Sequence, residues 1–496
     1  MSFQKNPLFK RSLFQLFIAA AAAFLTFFAG AAEVDLPDIG SPADATLSKS
    51  TEAQIGRSIM SQIRASGQLV EDPQITEYIN DVGHRISAHA NDGNHNFTFF
   101  VIDDPNINAF ALPGGYIGVH TGLLEATRSE DELAGVLAHE IAHVTQRHIA
   151  RAVHANSRQS ILNTAIMLGA ILAGVAGGAS GDVVQGAIAV AQGTAAQQQI
   201  NFTRNSEYEA DRVGISALAE SGFDPQGMGS FFEVISRGGG SPEFRVPEFL
   251  RTHPVTSARI AEARGRARDY PPVHTSDTVN YGIARSRLIV ARMETSEQAV
   301  RYFERESYEN QSVAELYGRA EAYMRAGRNL EANRIFEELV DNDQEVIAYH
   351  VGLAQSELAL EKRRDAVSTF ERAKELFPRN VPLVVHYAEA LLQLGRAKLA
   401  HKILLDLLNN VPPTPEQVRL IARAANEAGD AAEAHYYMSE YRIMIGDLVG
   451  GVNFLRQALR VPDLQEIQRI RFEARIDFLQ EYMTEEQLQQ MQRSRS

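Results

Sequence analysis

Apolar residues recur at helical spacing through most of the chain, and only a short stretch near residue 100 alternates as strands do. An amphipathic helical pattern begins at Glu52, and across residues 72–90 Ile75, Tyr78, Ile79, Val82 and Ile86 share one helical face. Residues 97–103 alternate and are rich in aromatic and β-branched types, which predicts a strand. Residues 109–112 and 116–119, joined by Pro113-Gly114-Gly115, predict a hairpin. Leu133, Val136, Leu137, Ile141 and Val144 then form one stripe on a helix expected to start at Ser129. There Ser129 and Glu132 suggest a capping box, and the acids of the first turn complement the helix dipole.

Beyond residue 310 the pattern repeats. Ala320, Ala354, Ala388 and Ala422 are 34 residues apart, as are Ala332, Ala366, Ala400 and Ala434, and Phe336, Phe370, Leu404 and Met438. Gly327, Gly395 and Gly429 fall on the same grid, with Glu361 replacing the missing glycine; Pro378 and Pro412 close repeats. Small residues where helices cross, followed by a large apolar residue, resemble the tetratricopeptide repeat. Four helix pairs are expected over residues 312–441, a degenerate pair at 446–459 caps them, and the polar tail 484–496 frays. Such an array holds peptides or partner proteins on its concave face.

The N-terminus follows a different rule. Lys5, Lys10 and Arg11 precede an apolar run, residues 13–28, and Ala29-Gly30-Ala31 is a small-residue cleavage site, so residues 1–31 read as an export signal. Secretion without an anchor follows, which in a Gram-negative cell means the periplasm. Residues 32–50 read as a polar linker. Residues 161–179 are almost all apolar with interspersed glycines, and an Ala-rich piece, 186–196, follows Asp182. The stretch 161–200 suits a helical hairpin, a membrane span, or a gated loop touching membrane or unfolded client.

Composition narrows the chemistry. The formal net charge is −14, and removing three basic residues and no acid with the signal takes it to −17, which argues against nucleic acid as a partner. The chain has no cysteine, excluding disulfides, a thiol nucleophile, cysteine-ligated zinc and lipid attachment after the signal. Any metal site must use His, Asp or Glu.

His139-Glu140-Ile141-Ala142-His143 lies on the helix that begins at Ser129. The i, i+4 spacing puts two imidazoles one turn apart, able to share a tetrahedral ion, with Glu140 beside them as general base. Catalytic zinc sites take three protein ligands, so a carboxylate is missing. Glu207 and Asp211 form an i, i+4 pair on a later helix that offers the missing carboxylate, and Asp211 would orient an imidazole or donate a proton. Glu209 is the rival third ligand. His148, five after His143, falls on the apolar side of the helix and reads as core packing. Gly238-Gly239-Gly240 reads as a loop rather than a phosphate cradle, because no strand-Gly-Lys-Ser/Thr-helix context surrounds it.

The His139-Glu140-x-x-His143 motif, Glu207-Tyr208-x-Ala210-Asp211, Asn108-Ala109-Phe110 and Pro113-Gly114-Gly115-Tyr116 together resemble the HtpX/Oma-type zinc metallopeptidases of the gluzincin group. With the export signal and repeats, the resemblance covers essentially all of the mature chain. It implies a mainly α architecture: a gluzincin-type metallopeptidase domain of helices and a small sheet over 51–275, connecting helices over 276–311, and a tetratricopeptide-repeat solenoid over 312–483. It further implies one zinc ion per chain on His139, His143 and Glu207, catalysis by Glu140, and quality control of outer-membrane proteins. The partners implied are unfolded or assembling outer-membrane proteins and their assembly machinery, with membrane-surface contact through 161–200. Arg251-Thr252-His253-Pro254 and Arg259 match another element of the group: His253 is a candidate fourth ligand that keeps the enzyme latent, or a donor to the oxyanion, and Arg259 a helper.

The expected reaction is direct peptide-bond hydrolysis, Glu140 taking a proton from water and passing it to the leaving amine. An extended substrate would add to a sheet edge near residues 116–119. Two rival readings stand beside the protease: a repeat-based chaperone with latent proteolysis, and a scaffold with a structural metal.

Overall fold

The computed structural model describes residues 47–90, 96–155, 204–238, 247–273, 277–305, 307–483 and 487–488. The residues read as an export signal, most of those read as a linker, the stretch 161–200, the residues after Gly238 and most of the tail lie outside them. No helix among the described residues is long and apolar enough to cross a membrane.

The first unit opens with α1 (Lys49–Ala65) and α2 (Pro73–Ser87), capped by the side chains of Ser48 and Asp72. The linker therefore ends sooner than residue 50, because Leu47 is already buried against Ile149 and Ala150. Strands β1 (Thr98–Ile102), β2 (Ala109–Leu112) and β3 (Tyr116–His120) follow. The predicted hairpin forms: β2 pairs antiparallel with β3, and Gly114 and Gly115 turn the chain at φ +83. β1 pairs parallel with the other side of β3, so the order is β1-β3-β2. The expected docking edge at 116–119 is thus overturned, since β3 is the central strand and its backbone groups are used on both sides. β2 is the edge. His120 N–H donates to the Asn108 carbonyl (3.0 Å), and antiparallel alternation then turns the backbone groups of Ala109 and Ala111 away from β3.

After α3 (Thr121–Ala126) comes α4 (Glu130–Thr145), buried almost all round. Its cap differs from the expected box. Ser129 Oγ accepts from Glu132 N–H (3.3 Å), but the Glu132 carboxylate turns to the Arg128 N–H (2.8 Å) and guanidinium (2.7 Å). Next are α5 (His148–Ala155), α6 (Arg204–Glu220), α7 (Gln226–Gly238), α8 (Glu248–Thr252) and α9 (Ser257–Ala267). α6 and α7 pack on α4. The approach is close because Gly214 lacks a side chain: a Cβ there would stand 3.0 Å from the Ala138 backbone of α4. A larger residue would push α6 outward, and with it Glu207 and Asp211.

The second unit starts one pair sooner than the alanine grid indicates. α10 (Val279–Arg292) and α11 (Ser296–Phe303) stack on α12 (Val313–Arg325), with Ser286 buried one 34-residue period ahead of Ala320. They are a packed pair rather than a plain connection. The repeat pairs are α12 with α13 (Asn329–Asn342), α14 (Ile347–Ala359) with α15 (Arg363–Leu376), α16 (Val381–Gln393) with α17 (Ala397–Leu408), and α18 (Pro415–Glu427) with α19 (Ala431–Met444). The final pair is longer than residues 446–459: α20 (Leu448–Ala458) packs against α21 (Glu466–Glu481) through Leu455, Phe472 and Ile476. Every alanine of the first grid is buried, leaving room for the phenylalanine or leucine of the neighbouring helix.

The two units touch through first helices of the pairs and through the end of α19. Tyr317 OH donates to Gln74 Oε1 (3.0 Å), Asn380 Nδ2 to Glu77 Oε1 (2.6 Å), and Arg287 bridges Asp72 (2.7 Å) and Glu321 (3.0 Å). Ser61 of α1 donates to the Ile445 carbonyl. Part of the repeat surface therefore holds the N-terminal end of α2.

Candidate metal centre

One turn of α4 presents His139 and His143, whose Nε2 atoms are 3.0 Å apart. α6 brings Glu207, with Oε2 3.6 Å from His139 Nε2 and Oε1 3.5 Å from His143 Nε2. α8 ends at His253, whose Nδ1 lies 3.3 Å from His139 Nε2 and 3.2 Å from both Glu207 oxygens. One ligand atom from each of these four buried residues lies within 4.8 Å of the others. A tetrahedral ion with bonds of about 2.0–2.1 Å needs ligand atoms about 3.3 Å apart. The observed spacings fit a divalent cation.

The surroundings fit it too. Asp211 Oδ1 is 2.9 Å from His139 Nδ1, the arrangement that aims a ligand imidazole. Arg259 of α9 makes two bonds to Asp211 (2.8 Å each) and one to Glu207 (2.8 Å), and its guanidinium lies over the Phe232 ring. Burial works against charge at Glu207 and Asp211, yet His253 and His139 hold Glu207 well below the usual range, and Arg259 and His139 lower Asp211. Burial also disfavours a charged ring at His139, but Asp211 and Glu207 outweigh it and push His139 up to about 9. Two ionised carboxylates thus draw positive charge to the ligand cluster, as a cation site requires. His143, buried beside other imidazoles, is lowered well below its ordinary value.

Glu140 faces the cluster without joining it. It is fully buried, burial raises its pKa, and its Oε1 is 3.4 Å from His253 Nε2. Glu209 lies elsewhere: its Oε2 meets Arg151 (2.9 Å) and His148 Nε2 (3.3 Å). The structure thus brings His139, Glu140, His143, Glu207, Asp211, His253 and Arg259 together and leaves Glu209 outside.

His148 is not simply packed. α4 ends at Thr145, and Arg147 takes φ 53, which turns the ring back so that His148 Nδ1 stands 2.8 Å from His143 Nδ1. Arg147 Nη2 meets the Leu47 carbonyl (2.8 Å) and Glu52 (3.1 Å), contacts from a hundred residues upstream that hold this corner. Burial brings His148 down to about 4, so the ring stays neutral at neutral pH.

Comparison with known proteins agrees with this geometry. Residues 73–267 match the model of peptidase family M48, and residues 357–424 match a tetratricopeptide repeat model. The beta-barrel assembly-enhancing protease of Escherichia coli is 34% identical over 462 residues, covering 92% of this chain and 93% of that protein. The Yersinia pestis protein of the same name is 33% identical over 452 residues, covering 90% and 91%. The mitochondrial metalloendopeptidase OMA1 of Arabidopsis thaliana is 31% identical over 159 residues, 32% of this chain and 29% of that protein.

Proposed function

The chain belongs to peptidase family M48, among the beta-barrel assembly-enhancing proteases, and from that premise we propose a periplasmic zinc endopeptidase that cleaves misfolded or stalled outer-membrane proteins and assists their assembly. The observation that carries the enzymatic part is the convergence of His139, His143, Glu207 and His253 with Glu140 alongside. The basic and then apolar pattern of residues 1–31, read as an export signal, supports the location, and the repeats support a protein client.

His139, His143 and Glu207 would hold the ion, with Asp211 and Arg259 fixing His139 and Glu207. When bound, zinc supplies Lewis-acid polarisation of a carbonyl and acidifies water. Glu140 accepts the proton of the attacking water and returns it to the leaving amine; its burial keeps it basic enough for that task. A substrate strand is placed along β2, where Ala109 and Ala111 turn their backbone groups outward beside α4. Phe249 N–H already donates to the Ile107 carbonyl on that same side (3.1 Å), so the substrate's path begins next to α8.

His253 sits where a fourth ligand would, and its other nitrogen lies beside Glu140. This supports a latent enzyme, closed until α8 moves. Hydrolysis of an unfolded protein such as casein by the mature chain tests both points. Glu140→Gln is expected to abolish cleavage while retaining metal, and His253→Ala to raise it. Retained cleavage in the first variant refutes the general base, and lost cleavage in the second makes His253 an oxyanion donor instead.

A further inference from the structure

The two imidazoles of α4 are backed by different chemistry. His139 Nδ1 faces a carboxylate, Asp211, at 2.9 Å. His143 Nδ1 faces another imidazole nitrogen, His148 Nδ1, at 2.8 Å. Beyond it, His148 Nε2 is 3.3 Å from Glu209 Oε2, and Arg151 Nη1 is 2.9 Å from that same oxygen.

One proton arrangement satisfies this row. With the lone pair of His143 Nε2 given to an ion, its hydrogen is on Nδ1 and is donated to His148 Nδ1. His148 must then be neutral, with its own hydrogen on Nε2, where Glu209 accepts it. The ring planes are inclined at 73° with centroids 4.8 Å apart, and the 2.8 Å between the two Nδ1 atoms makes up most of that separation, so the rings meet through these nitrogens at their edges rather than face on face. His148 is buried, and the left-handed turn at Arg147, tied to Leu47 and Glu52, brings it back toward α4. A residue filling core volume alone would need none of these polar partners.

We propose that His148, aligned by Glu209, is a positioning residue that fixes the tautomer and ring orientation of His143, so that α5 and α6 jointly determine how tightly the metal centre is held. The inference rests on the metal-centre reading above. It also gives Glu209 a role: two residues from Glu207 on α6, it faces away from the ion and toward the ring behind it.

The test measures zinc affinity of the full mature chain by competition with a chromophoric chelator at neutral pH, beside its thermal unfolding. Losing a group that supports a ligand histidine typically costs about 10–100-fold in metal affinity. His148→Phe keeps a ring but no acceptor and is expected to weaken zinc within that range. His148→Gln, whose amide can accept from His143 and donate to Glu209, recovers most of the loss. Glu209→Gln gives a smaller loss. The visible bands of the cobalt-substituted protein shift in His148→Phe, since the geometry around His143 changes. A folded His148→Phe that binds zinc as tightly as the parent overturns the proposal. Should that variant not fold, Glu209→Gln decides: weakened binding supports the relay, and unchanged binding refutes it. A parent chain that holds no more zinc than His139→Ala removes the metal centre itself, and the relay with it; a zinc-binding parent indifferent to His148 and Glu209 removes the relay alone.

Discussion

The metal centre and the repeat array are built on opposite plans. The array is periodic and local: each helix buries a small residue such as Ala354 or Ala388 against a large one such as Phe370 on a neighbouring helix, and the next pair does the same. The metal centre is singular. His139, Glu207, His253 and Arg259 arrive on four helices, and their polar atoms are satisfied by one another across those helices. Damage should therefore stay small and graded in the array, and large and specific at the centre.

The sharpest contrast comes from Glu140→Gln, which changes one atom. Cleavage of casein should fall by about 10²–10⁴-fold, the usual contribution of general acid–base catalysis, while metal content and melting temperature stay unchanged. A melting shift of several degrees would mean that Glu140 is structural.

Arg259→Ala comes next. It strands two buried carboxylates, and breaking a buried pair from one side costs about 3–5 kcal/mol. Thermal unfolding should show the loss, with part recovered by excess metal, which supplies replacement positive charge. If the variant melts with the parent, the charge balance described for the centre is wrong.

In the array, Ala388→Leu should cost about 1–3 kcal/mol by overpacking. Denaturant unfolding followed in the repeats should register it, while hydrolysis of a short peptide should not. Equal loss of peptide hydrolysis would show that the two regions are not separable in this way.

The seam between them should answer to pH. Burial raises Glu77 from 4.5 to about 7, opposed by its bond from Asn380. The folded state then holds a proton that the unfolded chain releases near 4.5, so this group's contribution is favourable below that pH and is lost as pH rises through about 7. The melting temperature should decline over that window, and Glu77→Gln should flatten the decline. An identical pH profile in the variant would remove Glu77 from the seam.

The same contrast governs how far sequence alone could lead. The spacing of His139 and His143 follows from one helix, and the alanine grid from one repeat, so both were visible as local patterns. β3 as the central strand was not, because the parallel partner β1 lies across a loop and nothing in residues 116–119 marks two-sided pairing. That His148 leaves the line of the metal helix is not legible locally, because the left-handed turn at Arg147 is held by Leu47, just ahead of α1, and by Glu52 on it. The pair α10 and α11 does not show the repeat signature, because Ser286 stands on the alanine grid and Met293 where a turn glycine would be. The separation of Glu207 from Glu209 depends on which face of α6 meets α4, and Gly214 sets that approach.

The most direct test of the central claim is metal stoichiometry in the purified chain from residue 32 onward and its Glu207→Ala variant, measured by elemental analysis after dialysis against metal-free buffer. One equivalent of zinc in the parent and in Glu140→Gln, and essentially none in Glu207→Ala, is the predicted result. A Glu207→Ala chain that keeps its full equivalent would contradict the cage formed by α4 and α6.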